Sequence, residues 1–118
     1  MGYSAIIGMS MVDIKLTPVE IEVLLAVADE ARHGYGIKLS VEERTDGRMR
    51  LGSGTLYVAI QRLEKVGLLK GEKRKPGAGT ERLRRRYFKL TADGRKVLKR
   101  ALSHLDELVR YAKTLKSL

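Results

Sequence analysis

Apolar residues recur at helical spacing in four places along the chain and alternate at strand spacing in one. The first helical stretch opens within "LTPVEIEVLLAVADEARHGYG". Thr17 can cap it, Pro18 suits the first helical position, and Glu20 completes a Thr-x-x-Glu capping box. Ile21, Leu24, Leu25 and Ala28 follow at helical spacing, and Gly34 is expected to supply a left-handed stop after Arg32 and His33. A second, shorter helix is predicted over about Tyr35 to Thr45, burying Ile37 and Val41 and ending at the turn signal "TDG". A third, capped by Ser53, is predicted to run to about Val66.

The third stretch, "GSGTLYVAIQRLEKVGLL", has two dissimilar sides. Leu56, Ala59, Ile60, Leu63 and Val66 fall on one, while Gly54, Val58, Gln61, Arg62 and Lys65 fall opposite, with Tyr57 at the border. The polar side lacks the Glu/Lys mixture usual on an exposed helix, and the small residues at its start allow close approach to a surface. An ordinary wet face and a binding face are both open at this point. The next segment, "LLKGEKRKPGAGTERLRRRYFKL", reads as two strands around a turn built from Pro76, Gly77 and Gly79, with Phe88 and Leu90 facing inward.

The last stretch starts at Thr91, a good N-cap, and runs towards Leu118. Leu98, Leu102, Leu105, Val109 and Ala112 form a heptad seam that Leu108 and Leu115 widen. Such a stripe offers more apolar surface than a domain of this size covers, so a partner chain is expected over Leu98, Leu102, Leu105, Leu108, Val109 and Ala112. The alternative is a helix folded back onto its own domain.

Charge narrows the function. The 118 residues make one domain's worth of chain and carry a formal charge of +10. Between Lys70 and Lys89 stand nine Lys or Arg against two Glu, so most of the excess sits on the expected hairpin. A local basic patch favours a polyanion such as nucleic acid. The chain has no cysteine, which excludes a disulfide framework, a thiolate nucleophile and any Cys-containing zinc site, and suits a reducing cytoplasm. No segment approaches the roughly 20 apolar residues of a membrane helix.

Catalytic and cofactor chemistry find little support. "LGSGT" and "PGAGT" look like fragments of phosphate-binding loops, but neither is followed by the Lys-Ser/Thr that reaches phosphate and magnesium. His33 and His104 lie apart with no i, i+4 partner, so no metal site is expected, and His33 is read as decorating a helix C-terminus. Glu20, Glu22, Asp29 and Glu30 are read as serving the first helix's surface and dipole. No enzyme and no cofactor are expected.

Three helices followed by a basic hairpin make a winged helix-turn-helix, in which the third helix enters the DNA major groove and the wing straddles the neighbouring backbone. The fold expected is therefore mainly α with a small β-hairpin: an N-terminal extension over residues 1–15, partly disordered, a DNA-binding domain over 16–90 and a dimerisation helix over 91–118. "HGYGI" (His33 to Ile37), "GTLYVAIQRLEKVGLL" (Gly54 to Leu69) and "RRYFKLTADG" (Arg85 to Gly94) resemble the PadR family of bacterial and archaeal transcriptional regulators. The resemblance runs from Leu16 to about Leu102. It implies a homodimer on a palindromic operator, acting usually as a repressor released by a small molecule, and Tyr57 against the DNA backbone. It also shows a departure: Val58 stands where the family often has Pro. The short C-terminal part resembles the compact branch that lacks a larger effector domain.

The DNA-binding residues expected are Ser53, Thr55, Tyr57, Val58, Gln61, Arg62 and Lys65 on the helix, with Lys73, Arg74, Lys75, Arg82, Arg84 and Arg85 on the wing. Gln61 is the only amide side chain in the chain and can pair with adenine, with Arg62 beside it for phosphate or guanine. The expected partners are double-stranded DNA and a second copy of the chain, with no membrane. The alternative is a winged helix that binds RNA or protein without sequence-specific DNA readout.

Overall fold

Thr17 starts the first helix as its sequence requires. Its hydroxyl accepts the Glu20 N–H at 3.1 Å, and its own N–H donates to the Glu20 carboxylate at 2.8 Å, which satisfies two of the donors a helix start leaves open. The computed structural model describes residues 13–73 and 86–118. In it α1 spans Pro18–Ala26, a two-residue strand β1 spans Arg32–His33, α2 spans Gly34–Arg44 and α3 spans Ser53–Lys65. Strands β2 (Leu69–Lys73) and β3 (Arg86–Leu90) follow, and α4 covers Ala92–Ala112. The turn expected at Pro76, Gly77 and Gly79 lies outside the described residues.

The architecture is mainly helical with a small antiparallel sheet, as expected, but the sheet has a third strand. Its order is β1-β3-β2, with Arg32 and His33 paired to Phe88 and Tyr87. The first helix is correspondingly shorter than its sequence suggested. It ends at Ala26, with Val27 as C-cap, so Asp29 and Glu30 lie beyond it. Gly34 is no left-handed stop but the first residue of α2. His33, instead of closing a helix, opens one: its Nδ1 accepts the Gly36 N–H at 3.0 Å. Thr45 is the C-cap of α2, and Asp46 and Gly47 take positive φ of 53° and 77°, so the "TDG" turn forms as expected.

One core gathers all the helices. Val23 and Leu24 of α1, Ile37 and Val41 of α2, and Ile60 and Leu63 of α3 are buried together with Leu68, Phe88, Val97 and Leu98. Ile14, within the expected N-terminal extension, packs against this cluster. Gly52, rather than Ser53, is the N-cap residue of α3, with no side-chain hydrogen bond. Thr91 caps α4 by accepting the Gly94 N–H at 2.9 Å, and its hydroxyl donates to the Gly67 carbonyl at 2.7 Å. The foot of α4 is thereby fastened to the bend between α3 and β2. Its helical turns end at Ala112, so Leu115 follows the helix instead of extending it.

Candidate nucleic-acid interface

Helix α3 turns Leu56, Ala59, Ile60 and Leu63 into the core and leaves Ser53, Thr55, Tyr57, Val58, Gln61, Arg62 and Lys65 exposed. The face expected for reading DNA is therefore outward. Val58 is 66% exposed in its middle, an apolar spot among polar neighbours. At the helix start Gly52 and Gly54 leave open space, since a Cβ at either meets nothing within 4 Å. Tyr57 leans across to the start of α2, its hydroxyl 3.2 Å from where a Cβ on Gly34 would stand. Between the two helices and β3 lies a cleft of about 410 Å³, bordered by Tyr35, Tyr57, Gln61, Glu64 and Arg86.

Arg62 is placed differently from its neighbour Gln61. Its Nη1 donates to both Glu20 carboxylate oxygens at 2.7 Å, and its Nη2 reaches the Lys15 carbonyl at 3.4 Å. Glu20 is only 3% exposed and also accepts the Thr17 N–H, so it is a buried anion and not a surface carboxylate of α1. A buried carboxylate without its cation carries a large desolvation cost. Arg62 therefore ties α3 to the start of α1, and its guanidinium is not a free base-reading group beside Gln61. The sequence spacing found the outward face of the helix but gave no sign of a partner 42 positions away.

At the wing, Lys73 ends β2 exposed and lies across from Arg86. Arg74, Lys75, Arg82, Arg84 and Arg85 lie outside the described residues. Sequence reasoning missed Glu64 and Arg86 as a pair. Glu64 accepts from Arg86 Nη2 at 2.7 Å, which joins α3 to the root of the wing.

Helix α4 presents Leu102, Leu105, Leu108 and Val109 as exposed apolar residues, with Tyr111 beside them and Ala112 half-buried. Leu98, expected in the same seam, is 4% exposed and belongs to the domain's own core. The first turns of α4 root the helix, and the uncovered stripe begins a turn later. Among the described residues no helix is long and apolar enough to cross a membrane.

The sequence model of the PadR-like family of transcriptional regulators matches residues 23–100. The chain belongs to that family. PadR-like proteins act in transcription regulation, not catalysis. Among solved structures, a transcriptional regulator from Clostridium thermocellum is similar with a TM-score of 0.71 at 24% identity, over 83% of this chain and 89% of that one. Bacillus subtilis PadR, solved in complex with operator DNA, is similar with a TM-score of 0.63 at 17% identity, over 73% of this chain and 48% of that one. A 37.1 kDa protein in a Streptomyces fradiae transposon is 37% identical over 86 residues, 73% of this chain. This PadR-like chain matches only 22% of that protein's length.

Proposed function

We propose that this PadR-like chain is a sequence-specific DNA-binding repressor that works as a homodimer on a palindromic operator. In each half-site α3 lies in the major groove and the β2–β3 wing follows the adjacent backbone. The observation that carries this is the outward face of α3: small at its start, apolar at Val58, and bearing Gln61 and Lys65, next to the most basic segment of the chain. Val58 suits contact with a thymine methyl, and the Gln61 amide suits adenine N6 and N7, a pairing that discriminates by about 1–3 kcal/mol. Ser53, Thr55, Tyr57 and Lys65 serve the flanking phosphates, together with Lys73, Arg74, Lys75, Arg82, Arg84 and Arg85. The operator complex of Bacillus subtilis PadR supports the same class of partner for this chain.

The exposed Leu102, Leu105, Leu108 and Val109 supply the dimer contact, with Ala112 at its edge. A two-fold dimer places two α3 helices in successive major grooves, which is why the operator is palindromic. A small-molecule effector, where one acts, enters at the dimer cleft.

Selection of bound duplexes from a random pool tests this directly, followed by Gln61→Ala against the selected site and against sites altered one base pair at a time. The expected result is a symmetric site and lost preference at one position per half-site, with random-duplex affinity intact. Equal losses on every duplex would make Gln61 a backbone contact, and recovery of no common sequence would favour an RNA or protein partner.

A further inference from the structure

Arg86 reaches Glu64 through both ends of its guanidinium, with Nη2 to Oε2 at 2.7 Å and Nη1 to Oε1 at 3.3 Å. The same guanidinium lies 5.3 Å from the centre of the Phe88 ring. Arg86, Phe88 and Leu90 alternate onto one side of β3, so Arg86 occupies the inward register where the sheet leaves the core. Its cross-strand neighbour is Lys73, and like charges directly opposite are destabilising. Glu64 supplies the counter-charge to Arg86 there. Room for the pair comes from Gly71, which faces Phe88 in the ladder. A Cβ on Gly71 would stand 2.2 Å from Arg86 Nη2 and 2.7 Å from Glu64 Oε2.

Stability alone is a poor reason for this arrangement, because the Arg86 side chain is about half exposed and such pairs contribute little. The pair does fix the relation between two elements, α3 and the wing, that must meet one duplex together if the proposed DNA-binding function holds. We propose that Glu64, Gly71 and Arg86 form a positioning pin that sets the wing's angle to α3 and so sharpens operator selectivity. Arg86 is thereby held back from phosphate. Holding the two contact elements in their bound relation removes an ordering cost from binding. Breaking the pin frees the wing and releases a cation, so operator affinity falls while random-duplex affinity holds or rises. A merely structural pair would lower both alike.

Gly71→Ala tests this without changing charge. Position 71 is outside the left-handed region, and the atoms in the way are the ends of flexible side chains that can swing aside. Affinities of wild type, Gly71→Ala, Glu64→Gln and Arg86→Lys are measured for the selected operator and a random duplex across a salt series, with thermal unfolding of each. The ratio of operator to random affinity is expected to fall about three- to tenfold in each variant, at near wild-type unfolding midpoints. Gly71→Ala combined with Glu64→Gln adds no further loss. In Glu64→Gln the salt slope rises by about 0.9 as Arg86 finds a phosphate. In the free protein, NMR should resolve separate Arg86 Nη signals that merge in Gly71→Ala. Merged signals in the wild type overturn the pin while leaving DNA binding untouched. Resolved signals with an unchanged affinity ratio in Gly71→Ala overturn its role in selectivity. A wild type that prefers no duplex overturns the proposed function, and the pin's purpose with it.

Discussion

Replacing Gly94 by Ala sets helix propensity against packing. Gly94 stands in the first turn of α4, where Ala is favoured over Gly by about 0.5–1 kcal/mol on propensity alone. A Cβ there, however, would stand 2.2 Å from the Leu68 carbonyl oxygen and 2.8 Å from Leu90 Cδ1. The Leu68 oxygen is backbone, held in the bend between α3 and β2, so no rotamer change relieves the contact. The foot of α4 must withdraw instead, which strains the Thr91 N–H bond to Leu68 at 3.2 Å and the Thr91 hydroxyl bond to Gly67 at 2.7 Å. Each is worth about 1 kcal/mol net. Overpacking adds about 1–3 kcal/mol, so the steric cost wins and the expected loss is about 2–4 kcal/mol. Urea unfolding followed by circular dichroism measures it, at fixed protein concentration because the stability of the proposed dimer would depend on concentration. Gly54→Ala is the control: its Cβ meets nothing within 4 Å, so propensity acts unopposed and stability should rise. A Gly94→Ala midpoint at or above wild type would refute the close-contact account of α4 docking.

Glu20→Ala removes both the capping box and the Arg62 anchor. With Arg62 partly exposed its share is discounted, so a loss of about 2–3 kcal/mol is expected in the same unfolding assay, and a change under about 0.5 kcal/mol would show that neither contact matters. Leu102→Glu with Leu105→Glu should give a monomer by sedimentation and weaken operator binding, whereas a wild type already monomeric at micromolar concentration defeats the dimer proposal. Arg84→Ala with Arg85→Ala should weaken binding to operator and random duplex alike and flatten the salt slope by up to about 2, and an unchanged slope would place those arginines away from DNA.

Local signals marked most element starts and the core. The Thr17 capping box, the Thr91 cap, the "TDG" turn and the inward alternation of Phe88 and Leu90 are settled by residues within a few positions of one another, and each recurs in the structure. The failures share a different cause. "VADEARH" is rich in helix formers, so its pattern extends α1 past Ala26, yet Arg32 and His33 become strand because Phe88 and Tyr87 pair with them across 54 or more residues. Tertiary pairing overrides propensity here. His33 then serves the start of the following helix, a role legible only once the strand before it is known. Leu98 fits the heptad spacing perfectly well, and spacing alone does not say that the domain core claims it first.

The same limit applies to the polar side of α3, where the residues proposed to read DNA stand beside residues that anchor the helix. The sequence puts Arg62 on the expected DNA-reading face and gives Glu64 no role, but each is engaged by a partner from another element, Glu20 of α1 and Arg86 of β3. These two ion pairs hold the helix from opposite directions, one at the start of the chain's first helix and one at the root of the wing. Under the proposed function, the exposed Thr55, Val58, Gln61 and Lys65 are then the ones left to meet DNA. A helix that reads bases must be held to within a fraction of an ångström, and side chains that hold it are unavailable for reading. Mutating Arg62 should therefore disturb every contact α3 makes at once, while mutating Gln61 should disturb one. The two residues are adjacent in sequence and both carry side chains that can pair with base edges, adenine for Gln61 and guanine for Arg62, and the long-range partner of Arg62 separates their roles.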